Sequence, residues 1–160
     1  MFRFWCERVG VPFSRFVIPN PFGPHEEPRF THYLMRKWAK GETAQVNTPA
    51  YVRDNIHVSL LAKIYAGFVA GPADTLRPSG YVETQGAFAE RFAAAMRARL
   101  GLPCVLHLAE QTEFVEPKVR INTDVPDTCL LDWNEDRSWD EMAAYYRRVL
   151  TGDVSRGFQA

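Results

Sequence analysis

A chain of 160 residues with 46% apolar residues is long enough for one domain with a buried core. Its 19 basic and 19 acidic side chains cancel, which argues against a nucleic-acid-binding surface or a polybasic membrane patch. No apolar run approaches membrane-spanning length, and three widely spaced cysteines, Cys6, Cys104 and Cys129, suit a reducing cytoplasm better than a disulfide framework.

Phe2, Trp5, Cys6 and Val9 recur at helical spacing before Gly10, so the sequence opens in a helix. Arg3, Glu7 and Arg8 interrupt any signal-peptide core. Residues 12–18 predict a buried strand, apolar on both faces. It runs into Pro19-Asn20-Pro21-Phe22-Gly23-Pro24, where proline removes amide donors and fixes φ, predicting a rigid loop at the strand's end. Pro28 sits at a helix start, and Phe30, Tyr33, Leu34 and Trp38 form one apolar stripe ending at Gly41. Gln45 to Val52 predicts a loop with short extended pieces. Tyr51 to Val58 predicts a short strand, a polar turn at Arg53-Asp54-Asn55, and a helix from about Ser59 to Val69 that turns Leu61, Ile64, Tyr65 and Phe68 inward.

After a loop from Gly71 to Gly80, Tyr81-Val82 starts a strand, and 85–100 is the clearest helix, stopped by Gly101 and Pro103. Cys104 to Leu108 and Val119 to Ile121 predict short strands. Ser138-Trp139-Asp140-Glu141 has capping-box spacing and opens a last helix that buries Trp139, Met142 and Tyr146. A frayed tail is expected over 153–160. The pattern is α/β, with a few short strands and about five helices in a single region, 1–160. It holds too few long apolar strands to flank the one at 12–18.

The carboxyl ends of strands are where open α/β sheets bind ligands. Asn20 in one turn and Arg53 in the other offer an amide and a guanidinium, which suit a phosphorylated ligand. Read without further context, Asn20 could equally satisfy its own loop, and Arg53 could be a strand-end ion pair with Asp54 or a nearby glutamate. His57 and His25 could be imagined as a metal pair, but a buried, hydrogen-bonded His57 fits its apolar flanks better. Glu113 and Glu116 fit an extended surface loop better than a pair of acid–base carboxylates.

Arg15-Phe16-Val17-Ile18-Pro19-Asn20-Pro21-Phe22-Gly23-Pro24-His25 resembles the strand-and-loop motif of extended short-chain dehydrogenase/reductases, the NAD(P)-dependent nucleotide-sugar epimerases and dehydratases. Tyr51-Val52-Arg53-Asp54-Asn55-Ile56-His57-Val58 is similar to their second motif, and Leu131-Asp132-Trp133 with its following helix to their closing segment. The resemblance spans nearly the whole chain. It implies the carboxyl-terminal, substrate-binding part of an extended Rossmann-type fold, with transient hydride transfer at a sugar carbon as the parent chemistry.

In that frame Asn20 and Arg53 hold the substrate diphosphate, Gln45, Val46 and Asn47 lie near the nucleotide base, and the backbone of Ile18 and Pro19 lies by the nicotinamide of NAD or NADP. The chain departs from the family at Ser59 and Leu60, where an acidic pair is usual. It also lacks the usual arginine in 111–117, with Arg120 nearby but offset. No glycine-rich GxxGxxG or GxGxxG turn is present, and the family's catalytic Tyr-x-x-x-Lys pair is expected to be absent. Met1 is therefore expected to be internal to a longer enzyme whose first half holds cofactor and catalytic residues and forms any homodimer. The alternative is a free-standing nucleotide-sugar-binding module, or one partner of a split enzyme. Neither reading assigns this chain a catalytic residue or a metal.

Overall fold

A computed structural model describes residues 2–71 and 74–151. In chain order the elements are α1 (Phe2–Val9), β1 (Arg15–Phe16), β2 (Asn20–Phe22), α2 (Phe30–Ala39), β3 (Ala44–Val46), β4 (Val52–His57), α3 (Val58–Ala70), β5 (Thr75–Leu76), β6 (Tyr81–Thr84), α4 (Gln85–Leu100), β7 (Leu106–Leu108), β8 (Val119–Arg120) and α5 (Glu135–Thr151). Met1 and the expected frayed tail lie outside the described residues.

The central strand is β4, and it runs straight through the predicted polar turn. On one edge it pairs antiparallel with β6, Asn55 opposite Tyr81. On the other edge two short strands lie end to end, both parallel to it: β8, with Arg53 opposite Arg120, and β2, with Asn20 opposite Asn55. The proline-rich motif is thus itself a strand in part. Pro21 is tolerated because β2 pairs with β4 alone among the described strands, and an edge strand can spare an amide donor. The predicted strand at 12–18 shrinks to β1, paired only with β5, and Ile18 is 58% exposed rather than buried. A third ribbon joins β3 to β7.

Arg53, Asp54, Asn55 and His57 are all buried, so each needs a partner in place. Asp54 turns to the face away from Arg53 and Asn55, as strand alternation requires. Its two oxygens accept the backbone N–H groups of Gly80 at 2.7 Å and Asn122 at 3.1 Å. Gly80 must stay glycine for this contact, because a Cβ there would lie 2.4 Å from the Asn55 carbonyl oxygen. The Asn122 amide in turn donates to the carbonyls of Val17 at 2.8 Å and Pro78 at 2.9 Å. One carboxylate therefore gathers three loops around the strand.

The main core lies between α2, α4 and α5. Leu34, Met35, Trp38, Phe88, Phe92, Met96, Trp139, Met142 and Tyr146 are buried together. Trp38 stacks on Phe92 at 5.9 Å, and its indole N–H is satisfied by the Val105 carbonyl at 2.9 Å. A smaller cluster of Ile56, Leu60 and Ile64 packs α3 on the opposite face of β4. Tyr65, expected inward, is 52% exposed. The last helix starts three residues before Ser138: Asn134 accepts the Arg137 N–H at 2.8 Å as its cap, and Ser138 instead donates back to the Glu135 carbonyl at 2.7 Å. Helix α1 forms as expected but buries none of its residues, with Phe2 81%, Phe4 57% and Trp5 55% exposed.

Replacing Asp54 by alanine leaves the part-buried N–H groups of Gly80 and Asn122 without their acceptor, so a loss of roughly 2 kcal/mol is expected. Asp54→Asn, which keeps one acceptor oxygen, should lose less. Equilibrium urea unfolding of both variants measures the difference.

Candidate functional site

Arg53 and Asn55 are two residues apart on β4 and so share a face. Their cross-strand neighbours Arg120 and Asn20 share it with them. This face forms the floor of a cleft of about 410 Å³, with Phe22, Tyr51 and Phe88 as apolar wall and Glu26, Arg29, Thr31, Thr48, Gln85 and Glu116 at its sides. Of the residues singled out in the sequence, Asn20 and Arg53 come together here, and Arg120 joins them through a strand that brings its offset position level with Arg53.

The Arg53 side chain is only 7% exposed. One terminal nitrogen, Nη1, donates to the carbonyls of Val52 at 2.9 Å, Pro117 at 3.3 Å and Lys118 at 3.2 Å. The other, Nη2, donates to Glu116 Oε2 at 3.2 Å. The guanidinium lies 4.3 Å from the Tyr51 ring centre, a cation–π contact. The Tyr51 hydroxyl accepts the N–H groups of Val115 at 3.0 Å and Glu116 at 3.2 Å, so the same tyrosine supports the cation and the loop that faces it. The ion-pair partner is Glu116, not Asp54. Glu116 also comes within 3.9 Å of Arg120. Tyr51, Asn55, Glu26 and Glu116 were missed as site residues. A β4 register through Arg53-Asp54-Asn55 would have exposed Asn55, and the strand expected at 119–121 would have brought Glu116 close.

Two polar atoms in this neighbourhood are buried without a protein partner, Asn55 Nδ2 and Glu26 Oε2. Glu26 Oε1 is fully used, accepting the Tyr146 hydroxyl at 2.9 Å and the Thr31 hydroxyl. Burial raises the Glu26 carboxyl above its usual range, against the lowering effect of those two hydrogen bonds.

The remaining sequence candidates lie elsewhere. Val46 is a core residue at 3% exposure and does not line the cleft. The backbone of Gln45 is bracketed by the Tyr33 hydroxyl, which donates to its carbonyl at 3.1 Å and accepts its N–H at 3.2 Å. Gln45 and Asn47 are exposed and do not line the cleft, although Thr48 does. Contrary to expectation, the chain contains one Tyr-x-x-x-Lys spacing, Tyr33 to Lys37. Both ends are committed outside the cleft: Tyr33 to Gln45, and Lys37 to Glu42 at 2.6 Å.

Ile18 and Pro19 border a separate hollow of about 230 Å³ with Asp54, Arg120 and Asn122. Among the described residues no glycine-rich turn leads into a helix N-terminus, the usual cradle for a pyrophosphate.

His57 caps α3, its Nδ1 accepting the Ser59 N–H at 3.2 Å. Gly23 of the proline-rich motif packs over its ring, where a Cβ would meet Val58 Cγ2 at 2.3 Å and His57 Nε2 at 3.4 Å. His25 is exposed and sits edge-on to Tyr145 at 4.7 Å. Among the described residues no group of three or more metal-ligating side chains occurs.

No family model matches the sequence, and no curated protein matches it. Solved structures do. A UDP-N-acetylglucosamine 4-epimerase from Methanobrevibacter ruminantium M1, in complex with UDP-N-acetylmuramic acid, has a TM-score of 0.69 at 13% identity, over 92% of this chain and 50% of that one. A UDP-glucose 4-epimerase from Thermotoga maritima with UDP-glucose has 0.63 at 16%, over 93% and 50%. A dTDP-glucose 4,6-dehydratase from Bacillus anthracis in complex with NAD has 0.61 at 13%, over 91% and 48%. The chain thus has a mixed α/β fold shared with sugar-nucleotide epimerases and dehydratases, the proteins its two motifs resemble. It spans about half the length of each of these structures.

Burial lowers the His57 pKa from 6.5 to about 4. Because the folded form binds its proton less tightly than the unfolded chain, this histidine adds stability at neutral pH that is lost as pH falls from 6.5 to about 4, up to about 3 kcal/mol. Glu26, shifted the other way, opposes part of that slope. Unfolding midpoints measured across this range should show a decline that flattens in His57→Asn, which keeps a capping acceptor without the titrating ring.

Proposed function

We propose that this chain is the nucleotide-sugar-binding half of an NAD(P)-dependent epimerase, dehydratase or reductase, and that it turns over no substrate alone. The carrying observation is the convergence of Asn20, Arg53 and Arg120 on one sheet face inside a cleft with an aromatic wall. Two guanidiniums and an amide suit a diphosphate, which is charged, multidentate and planar in none of its contacts. Binding energy collected there positions the sugar for chemistry performed elsewhere. The neighbours in complex with UDP-sugars support the same ligand class. Gln45, Val46 and Asn47 then serve the base through backbone and shape rather than through a cleft side chain.

The dinucleotide belongs chiefly to another segment or chain, with Ile18 and Pro19 contributing a backbone contact. The bare apolar side of α1 and the exposed Ile18 support a large neighbouring surface of that kind. They equally favour the second reading, a binding module or split-enzyme partner without catalysis. A cytoplasmic setting accords with three free cysteines, the buried Cys104 thiol being pushed up by burial to about 11 and so unreactive. No helix among the described residues is long and apolar enough to cross a membrane.

Calorimetric titration with UDP and UDP-glucose tests the proposal. Arg53→Lys keeps a buried cation but loses the fork, and should weaken UDP by about tenfold, equivalent to roughly 1.4 kcal/mol. Asn20→Ala should weaken it less. Unchanged affinity in Arg53→Lys with the fold intact would remove phosphate anchoring from this residue.

A further inference from the structure

We infer that Glu116 is a built-in competitor for the anion site, so that the cleft binds phosphate by exchange and discriminates in favour of diphosphates. The inference rests on the nucleotide-binding reading above. Glu116 Oε2 lies 3.2 Å from Arg53 Nη2 and 3.9 Å from Arg120 Nη1, between the two cations that a ligand anion would use.

Arg53 does not need Glu116 to stay in place. Its other nitrogen is held by three backbone carbonyls and its plane by Tyr51. Glu116, by contrast, is 54% exposed on a segment without regular structure. Its backbone is pinned by the Tyr51 hydroxyl at 3.2 Å. The carboxylate can therefore swing into water while the loop and the arginine remain where they are. The half-exposed carboxylate regains its hydration on leaving and Arg53 keeps its three backbone carbonyls, so the departure costs less than breaking a pair buried on both sides.

The consequence is a threshold on ligand charge. A monophosphate swaps one anion for another and gains only the difference between them. A diphosphate can engage both guanidiniums and the Asn20 amide together, so it gains contacts that the single carboxylate never made. Neutralising Glu116 should then help the weaker ligand more.

The experiment uses the whole chain, with UMP and UDP as probes, in wild type, Glu116→Gln and Glu113→Gln. Glu113 is an exposed carboxylate of the same segment without a contact to either arginine, and controls for a general change of charge. Wild type should favour UDP by about tenfold or more. Glu116→Gln should tighten UMP by about fivefold and UDP by less, narrowing the ratio. Glu113→Gln should leave the ratio unchanged. Affinities within twofold of wild type in Glu116→Gln, or weaker ones at unchanged melting temperature, would overturn the inference and make Glu116 a brace for Arg53. If wild type and Glu116→Gln both fail to bind UDP, the nucleotide-binding reading itself fails, and this inference with it.

Discussion

A central strand whose middle reads Arg-Asp-Asn, closed by a histidine, survives in a sheet because most of its buried polar groups are met by partners from other segments, with Asn55 Nδ2 and His57 Nε2 left unpaired. Burying an unpaired polar group costs about 1–3 kcal/mol, and more when it is charged. Asp54 is met by two backbone N–H groups, and Arg53 by three carbonyls and a carboxylate. His57 is met at Nδ1 by the first turn of α3. These bonds reach segments that are far apart in sequence, at Gly80, 116–118 and Asn122. The strand therefore cannot be set without setting the loops that wall the cleft. Stability on one face and site geometry on the other are two results of the same alternation.

That dependence explains what could be read from the sequence. The helices were legible because 3.6-residue periodicity and caps are local: 85–100 was found residue for residue, and the stripes of α2 and α5 go where their apolar residues say. The capping box at Ser138 places the cap four residues late, since Asn134 offers the same chemistry one turn earlier. Strand β4 was read as a turn because its polarity is paid for by distant partners, which no window along the chain contains. The apolar run at 12–18 erred in the opposite sense. Hydrophobicity without alternation marked it as central, whereas the described structure gives it a two-residue ribbon and an exposed end.

The site was half legible for the same reason. Asn20 and Arg53 could be named from their local contexts, and the end-to-end pairing of β2 and β8 on one edge of β4 brings them together. Arg120 and Glu116 enter only through that pairing. So does Asn55, whose amide nitrogen is buried without a partner in the neighbourhood of Glu26. A tertiary register, not a motif, decides which side chains share the floor.

Electrostatics then assigns the parts of the cleft different tasks. The cationic floor already carries its own counter-anion, Glu116, so its field is compensated rather than bare. The Glu26 side is different: its carboxyl is desolvated, anchored by Tyr146 and Thr31 on one oxygen, and open on the other. A buried group of that kind discriminates by hydrogen-bond pattern, because a ligand that leaves it unmatched bears the full desolvation cost. A single cleft thus joins an ion-paired, partly exposed end at Arg53, Arg120 and Glu116 to a desolvated side at Glu26, and the hydrogen bonds at both ends also build the fold.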